Sequence, residues 1–315
     1  MGPPRDRHSR RKLLIAGTAA ALTGALPGCA SASPSAGSPI ATRPIPRSGE
    51  RLPIVGIGTA IVFDFGEDPA RYAERRQVLQ ALVEGGGKLI DTAAEYGRAE
   101  DRVGDLVADL GIRGSLFLAT KFSSKLDRAG SAASLQTSLR RLRTDRVDLM
   151  QAWNVGEAGY DFGLLRDWQR QGLCRYVGMT TSSIRQYGAF GKVLARERPD
   201  FVQFNYSLGD RDAESALLPA AADAGAAVLV NLPFGRNSLF KKAAGRPLPD
   251  FAAEFGAATW AQFFLKFILS HPAVTAVIPG TDKPEYVLDN LQAGRGRLPD
   301  AAIRRRMVDF WDSLA

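Results

Sequence analysis

Past its first forty or so residues the chain alternates strand-length apolar runs with helix-length amphipathic stretches, about eight times over. The strand-like runs fall at 53–58, 88–91, 116–120, 147–152, 176–179, 201–205, 227–231 and 274–278. Helical spacing occupies 69–84, 99–109, 131–142, 162–171, 184–196, 214–224, 259–270 and 284–292, with one more stretch at 304–314. In the first of these Val78, Leu79, Leu82 and Val83 share a face, and Gly85-Gly86-Gly87 ends it. Strands separated by helices must run parallel, with right-handed crossovers. About eight such units in roughly 260 residues predict a single-domain (β/α)8 TIM barrel, an α/β fold. A doubly wound sheet is the alternative. It calls for a glycine-rich phosphate loop after the first strand, and Gly56-x-Gly58-x-x-Ile61 lacks the third glycine. Pro46-Arg47-Ser48-Gly49-Glu50, just ahead of that strand, reads as a hairpin turn.

Composition agrees: 45% of the residues are hydrophobic and 23% charged, enough apolar material for a sizeable core. The two cysteines, Cys29 and Cys174, exclude a disulfide framework and a cysteine-rich metal site, and no metal is expected. The formal charge is +8. Much of it lies in residues 1–28, where Arg5, Arg7, Arg10, Arg11 and Lys12 face Asp6 alone. Beyond them the longest basic run, Arg304-Arg305-Arg306, reads as a solvated helix face, and no nucleic-acid partner is expected.

Residues 1–32 read as a twin-arginine signal peptide. Ser9-Arg10-Arg11-Lys12-Leu13-Leu14 supplies the basic front, and an apolar, small-residue stretch follows over 13–28. That stretch is shorter than the ~18–20 residues of a bilayer span. Leu26-Pro27-Gly28-Cys29 resembles a lipobox, and Ala30-Ser31-Ala32 fits ordinary signal peptidase; both cleavage sites stay open. The expected partner is the twin-arginine export machinery. The expected location is the periplasm, free or held in the membrane by a lipid on Cys29. Residues 33–46, rich in Ser, Pro and Gly, are expected to be a flexible spacer, and 47–315 the barrel.

In a barrel, chemistry gathers at the C-terminal ends of the strands. Polar residues recur there: Asp91, Lys121, Trp153 and Asn154, Thr180 and Thr181, Gln203 and Asn205, Asn231, and Thr281. Ile90-Asp91-Thr92-Ala93-Ala94-Glu95-Tyr96-Gly97 with Ala119-Thr120-Lys121 resembles the aldo-keto reductases. The resemblance runs over about 43–300. It extends to Gly178-Met179-Thr180, Val202-Gln203-Phe204-Asn205-Tyr206, and Ile278-Pro279-Gly280-Thr281 with Asn290. With the export signal, it points to the bacterial branch of that family with twin-arginine leaders. It implies hydride transfer between a nicotinamide and a small-molecule carbonyl or alcohol.

The chemistry of the trio stands on its own. A tyrosine hydroxyl with a pKa of ~10 is a poor proton partner near neutrality. A neighbouring ammonium stabilises the phenolate, and a carboxylate holds that ammonium. Tyr96 would then donate the proton, Lys121 tune it and Asp91 anchor the lysine. One departure stands out: the family ends its fourth strand in a histidine that orients the carbonyl, and this chain has Trp153 there. The indole has one donor and no proton to exchange. Two readings follow. Trp153 is a wall of a working site, or the barrel binds cofactor with little or no catalysis.

The resemblance also implies the cofactor contacts. Thr180 and Thr181, helped by Gln203, stand at the nicotinamide amide. Asn231 stands where relatives stack a tyrosine on the ring, Leu232 to Gly235 pass the pyrophosphate, Thr281 and Lys283 lie toward the adenosine 2′-phosphate, and Asn290 is a further cofactor contact. NADP(H) is favoured over NAD(H), although Tyr286 replaces an arginine common there. The long C-terminal loop that covers substrate in many relatives is expected to be absent or reduced.

Overall fold

A computed structural model describes residues 38–156 and 160–314, so the twin-arginine motif, Cys29 and both cleavage sites lie outside the described residues. Two short antiparallel strands come first, β1 (Thr42–Pro44) and β2 (Arg51–Pro53). Strand and helix then alternate: β3 (Ile57–Gly58), α1 (Pro69–Glu84), β4 (Leu89–Asp91), α2 (Ala99–Leu110), β5 (Phe117–Ser123), α3 (Arg128–Arg141) and β6 (Val147–Trp153). The series continues with α4 (Phe162–Arg170), β7 (Cys174–Thr180), α5 (Tyr187–Glu197), β8 (Phe201–Asn205), α6 (Ala213–Ala224) and β9 (Ala227–Asn231). It ends with α7 (Ser238–Ala243), α8 (Trp260–Leu269), β10 (Val274–Val277), α9 (Pro284–Gln292) and α10 (Ala301–Ser313).

Strands β3 to β10 pair in parallel, each with the next in sequence. Bridges Val55–Val277 and Gly58–Gly280 bring the two edges together, so the sheet is a (β/α)8 barrel. Local chemistry sets the helix ends. Asp68 caps α1 by accepting from the Arg71 N–H at 3.0 Å, Pro69 opens the helix, and Gly86 takes the left-handed turn beyond it at φ +87°. Asp127, Thr259 and Asp300 cap α3, α8 and α10 in the same way.

Alternation along each strand builds the interior in layers. The lower layers are apolar: Leu89, Phe117, Ala119, Leu149, Tyr176, Phe201, Ala227, Leu229 and Ala276 form one buried cluster with Ile45 and Leu52 of the hairpin. Two residues further along the same strands the inward positions turn polar, with Asp91, Lys121, Gln151, Gln203 and Asn231. The barrel therefore has an apolar floor and a polar mouth.

The expected spacer does not reach residue 46. Residues 42–44 form β1, Ile45 is fully buried, and Ala41 donates to the Gly294 carbonyl at 2.8 Å. The cause is burial: each apolar side chain inserted into the floor contributes about 1.5–3 kcal/mol. Arg43 also donates to the carbonyls of Leu269, His271 and Val274, at the end of α8. The expected first strand divides for the same reason, residues 51–53 pairing in the hairpin and 57–58 in the barrel. Beyond β9 the chain forms α7 and a 3-10 turn at Asp250–Phe255 before α8.

Candidate active site

Asp91 ends β4 and Lys121 lies on the neighbouring β5, both pointing into the mouth. Their side chains are 5% and 1% exposed, with Lys121 Nζ 2.6 Å from Asp91 Oδ2. Removing two charges from water is costly unless their remaining valences are met. Lys121 donates a second bond to the Thr92 carbonyl at 2.7 Å, and Gln151 Nε2 lies 3.4 Å from Asp91 Oδ1. Burial alone would lower the lysine's pKa; the attraction of Asp91, and after it Tyr96, outweighs this and holds it above the ordinary value.

Tyr96 sits on the turn between β4 and α2. Its ring centroid is 5.1 Å from Lys121 Nζ. The turn is clamped from outside by Asp64, which accepts from the Arg98 N–H at 2.9 Å and presses on Gly97, where any Cβ would clash with its carboxylate. Gly97 also has a φ of +55°, so backbone conformation and the nearby carboxylate both favour glycine beside Tyr96. The net effect on the phenol differs from the expectation. Lys121 does pull its pKa down, but burial, the larger influence, together with Asp91 holds it above the usual value. The hydroxyl therefore keeps its proton at neutral pH, as a proton donor must.

Trp153, at the end of β6, packs edge-on against Tyr96 with ring centroids 6.0 Å apart and planes at 80°. The backbone then turns sharply through Asn154, at φ +55°. The one histidine among the described residues, His271, precedes β10 at the floor end and is remote from this group.

On the opposite side of the mouth, Thr180 and Gln203 are partners in register on β7 and β8, and Asn205 and Asn231 are partners on β8 and β9. Asn205 Nδ2 donates to the Ser182 carbonyl at 3.1 Å and Asn231 Nδ2 to the Thr181 carbonyl at 3.3 Å. Gln203 Nε2, Asn205 Oδ1 and Asn231 Oδ1 are buried with no hydrogen-bond partner among the described residues. One free donor and two free acceptors complement a carboxamide, which offers one carbonyl and an NH2 group. These residues fit the amide of a nicotinamide. Thr181 does not present its hydroxyl there, because it donates to Gln186 Oε1 at 2.6 Å.

Leu232 and Gly235 lie in the loop after β9, where Leu232, Gly235, Arg236 and Asn237 all have positive φ between 48° and 69°. That conformation is unfavourable for non-glycine residues, and the loop is closed by its own bonds, the Gly235 N–H donating to the Leu232 carbonyl at 2.9 Å and the Ser238 N–H to the Gly235 carbonyl at 3.1 Å. Thr281 and Asn290 engage each other: Asn290 Nδ2 donates to Thr281 Oγ1 at 3.3 Å, and Thr281 donates to the Pro279 carbonyl at 3.1 Å. Thr281 thus holds the loop ahead of α9. Lys283, at the N-cap of α9, lies 5.5 Å from the Tyr286 ring centroid. β3 separates this group from Asp91 and Lys121.

Sequence reasoning missed Gln151 and Glu100. Gln151 was readable: it lies two residues before Trp153, on the inward face, in register with Lys121. Among the described residues no cluster of three or more His, Cys, Asp or Glu is placed to hold a metal, and no helix is long and apolar enough to cross a membrane.

The family model for the aldo/keto reductase family matches residues 55–306. The chain is 28% identical over 273 residues to the aldo-keto reductase str7 of Strobilurus tenacellus, covering 74% of this chain and 80% of that one. It is 30% identical over 237 residues to the methylglyoxal reductase YeaE of Escherichia coli, covering 72% and 80%. The crystal structure of an aldo-keto reductase from Klebsiella pneumoniae in complex with NADPH superposes with a TM-score of 0.71 at 22% identity, over 84% of this chain and 92% of that one. A barrel of eight parallel strands, an Asp–Lys pair with a tyrosine at its mouth, and a family match over most of the folded chain lead to one conclusion: this protein belongs to the aldo/keto reductase family.

Proposed function

We propose that the protein is an NADP(H)-dependent oxidoreductase acting on a small carbonyl or alcohol. The observation that carries this is the buried Lys121–Asp91 pair beneath Tyr96, facing an amide socket whose polar atoms lack partners. A bound nicotinamide would supply or accept the hydride. Tyr96 holds a proton at its hydroxyl and releases it to the carbonyl oxygen; Lys121 stabilises the phenolate left behind; Asp91 keeps Lys121 charged and in place. Gln203, Asn205 and Asn231 orient the carboxamide, with Thr180 beside them. Leu232 to Gly235 face the pyrophosphate, and Lys283 the 2′-phosphate that distinguishes NADP(H) from NAD(H). That the Klebsiella relative was solved with NADPH supports this choice.

Trp153 narrows the place beside Tyr96 where a carbonyl would sit, and it contributes no exchangeable proton. The reading is therefore of a reductase that is slow on simple aldehydes. The test is fluorescence titration of the purified protein with NADPH and NADH, followed by Tyr96→Phe. NADPH should bind more tightly, and the variant should keep that affinity while losing turnover at least ~10²-fold. Binding of neither dinucleotide, or full turnover in the variant, would refute the proposal.

Export is part of the same proposal: Arg10 and Arg11 lead the chain to the twin-arginine machinery, which carries folded proteins, and Cys29 is the candidate for a lipid anchor. Replacing both arginines by lysine should retain the protein in the cytoplasm, and labelled fatty acid should report on Cys29.

A further inference from the structure

Glu100 is a buried acid that the proposed chemistry leaves unused. It is the second residue of α2, four positions beyond Tyr96, and it is fully buried. Its Oε1 accepts from Thr120 Oγ1 at 2.6 Å. Arg141 of α3 stands 3.6 Å from its Oε2, and the same side chain donates to the Ala94 carbonyl, in the Tyr96 turn, at 3.4 Å. Ser138, also buried, is the other polar side chain facing it. Oε2 makes no hydrogen bond. Its place in the first turn of α2 and the nearby Arg141 offset part of the desolvation that a buried carboxyl incurs, but an apolar side chain would avoid that cost altogether, and a stronger reason for an acid is needed.

Its partner gives one. Thr120 and Lys121 are consecutive on β5, so they face opposite sides of the sheet. Lys121 reaches inward to Asp91, beneath Tyr96. Thr120 reaches outward to Glu100. The turn between them is short and continuous with the helix, because the Ala99 N–H donates to the Tyr96 carbonyl at 2.9 Å. Neighbouring residues of one strand thus hold two points, four residues apart, on the segment that carries the phenol. On the outer side, Gly97, Arg98, Asp101, Arg102, Asp105 and Arg141 line a solvated groove, where Asp64 holds the turn at the Arg98 N–H and Arg141 at the Ala94 carbonyl; Glu100 and Thr120 hold it from the side of the sheet.

We propose that Glu100 is a positioning residue: its hydrogen bond to Thr120 sets the placement of the Tyr96 phenol over the Lys121 ammonium. This rests on the reductase reading of Tyr96 and Lys121. Three variants test it, with Tyr96→Phe as control. Thr120→Val keeps the shape of the strand and removes the donor. Glu100→Leu removes the acceptor, and Glu100→Gln keeps an acceptor oxygen. Thr120→Val and Glu100→Leu should lower kcat about tenfold or more while KM and NADPH affinity stay within about twofold, and Glu100→Gln should retain most of kcat. Thr120→Val is the decisive arm should Glu100→Leu fold poorly. Unchanged kcat in a folded Thr120→Val protein overturns the proposal. So does an equal decline of kcat, NADPH affinity and melting temperature across all three, which would mark a purely structural residue. Full activity in the Tyr96→Phe control removes the reductase reading itself, and the brace then has nothing to position.

Discussion

Lys121 and Lys266 are the same residue at the same burial, each about 1% exposed, in two regions of the barrel. Lys266, on α8, donates to the carbonyls of Arg295 at 2.8 Å and Arg297 at 3.0 Å, and among the described residues no carboxylate pairs with it. Burial pushes its pKa down to about 8. Lys121 has Asp91 at 2.6 Å and is shifted the other way. A dry environment does not itself make a lysine a lasting cation; a fixed carboxylate does. At Lys266 the ammonium serves as a staple between α8 and the loop after α9. At Lys121 the charge itself is what the proposed chemistry needs.

The strongest way to break this contrast is Asp91→Asn. It should push Lys121 toward the behaviour of Lys266. We expect kcat to fall about a hundredfold. The residual rate should decline further as pH rises through the range where the wild type stays level, because burial then acts on the lysine without its main opposing charge. A residual rate independent of pH, read from kcat across that range, would show that Lys121 holds its proton without the carboxylate.

A smaller effect is expected from Trp153→His. It asks whether the Lys121 side of the mouth lacks only a donor aimed at the substrate oxygen. Turnover of simple aldehydes should rise about tenfold, a barrier change of ~1.4 kcal/mol. A slower variant would instead make Trp153 a specificity element of an already competent site.

The smallest effect concerns Lys266→Met and thermal stability. The folded-state value of about 8 lies below the ordinary 10.5, so between them the unfolded chain binds more protons and stability rises with pH. Relative to Lys266→Met, the wild-type melting temperature should climb by a few degrees across that window and stay level below it. A constant offset between the two proteins would show that Lys266 remains charged throughout.

Features repeated along the chain were the ones open to reading from sequence. The alternation of strand and helix gave the barrel, and the step of two along each strand placed Asp91, Lys121, Trp153 and Gln203 at the mouth. Features made by distant partners were not. Residues 42–45 look like spacer until Arg43 meets carbonyls more than two hundred positions away. Thr181 looks free for a ligand until Gln186 takes its hydroxyl. Thr281 and Asn290 were both marked as cofactor contacts, and nothing in their spacing revealed that they bond to each other. The pKa of Tyr96 depended on weighing burial against Lys121, and burial becomes measurable only once the chain is folded.

The apolar floor, sealed by Ile45 and Leu52 of the hairpin, makes the barrel a vessel with a single door. In the proposed reaction, substrate, product and the proton that restores Tyr96 must then all use the same passage. Proton resupply cannot run beneath a bound product from the other end, so recovery of the phenol waits on the mouth being clear. In that scheme the order of events within one turnover is linked to the packed floor, to which the hairpin contributes Ile45 and Leu52.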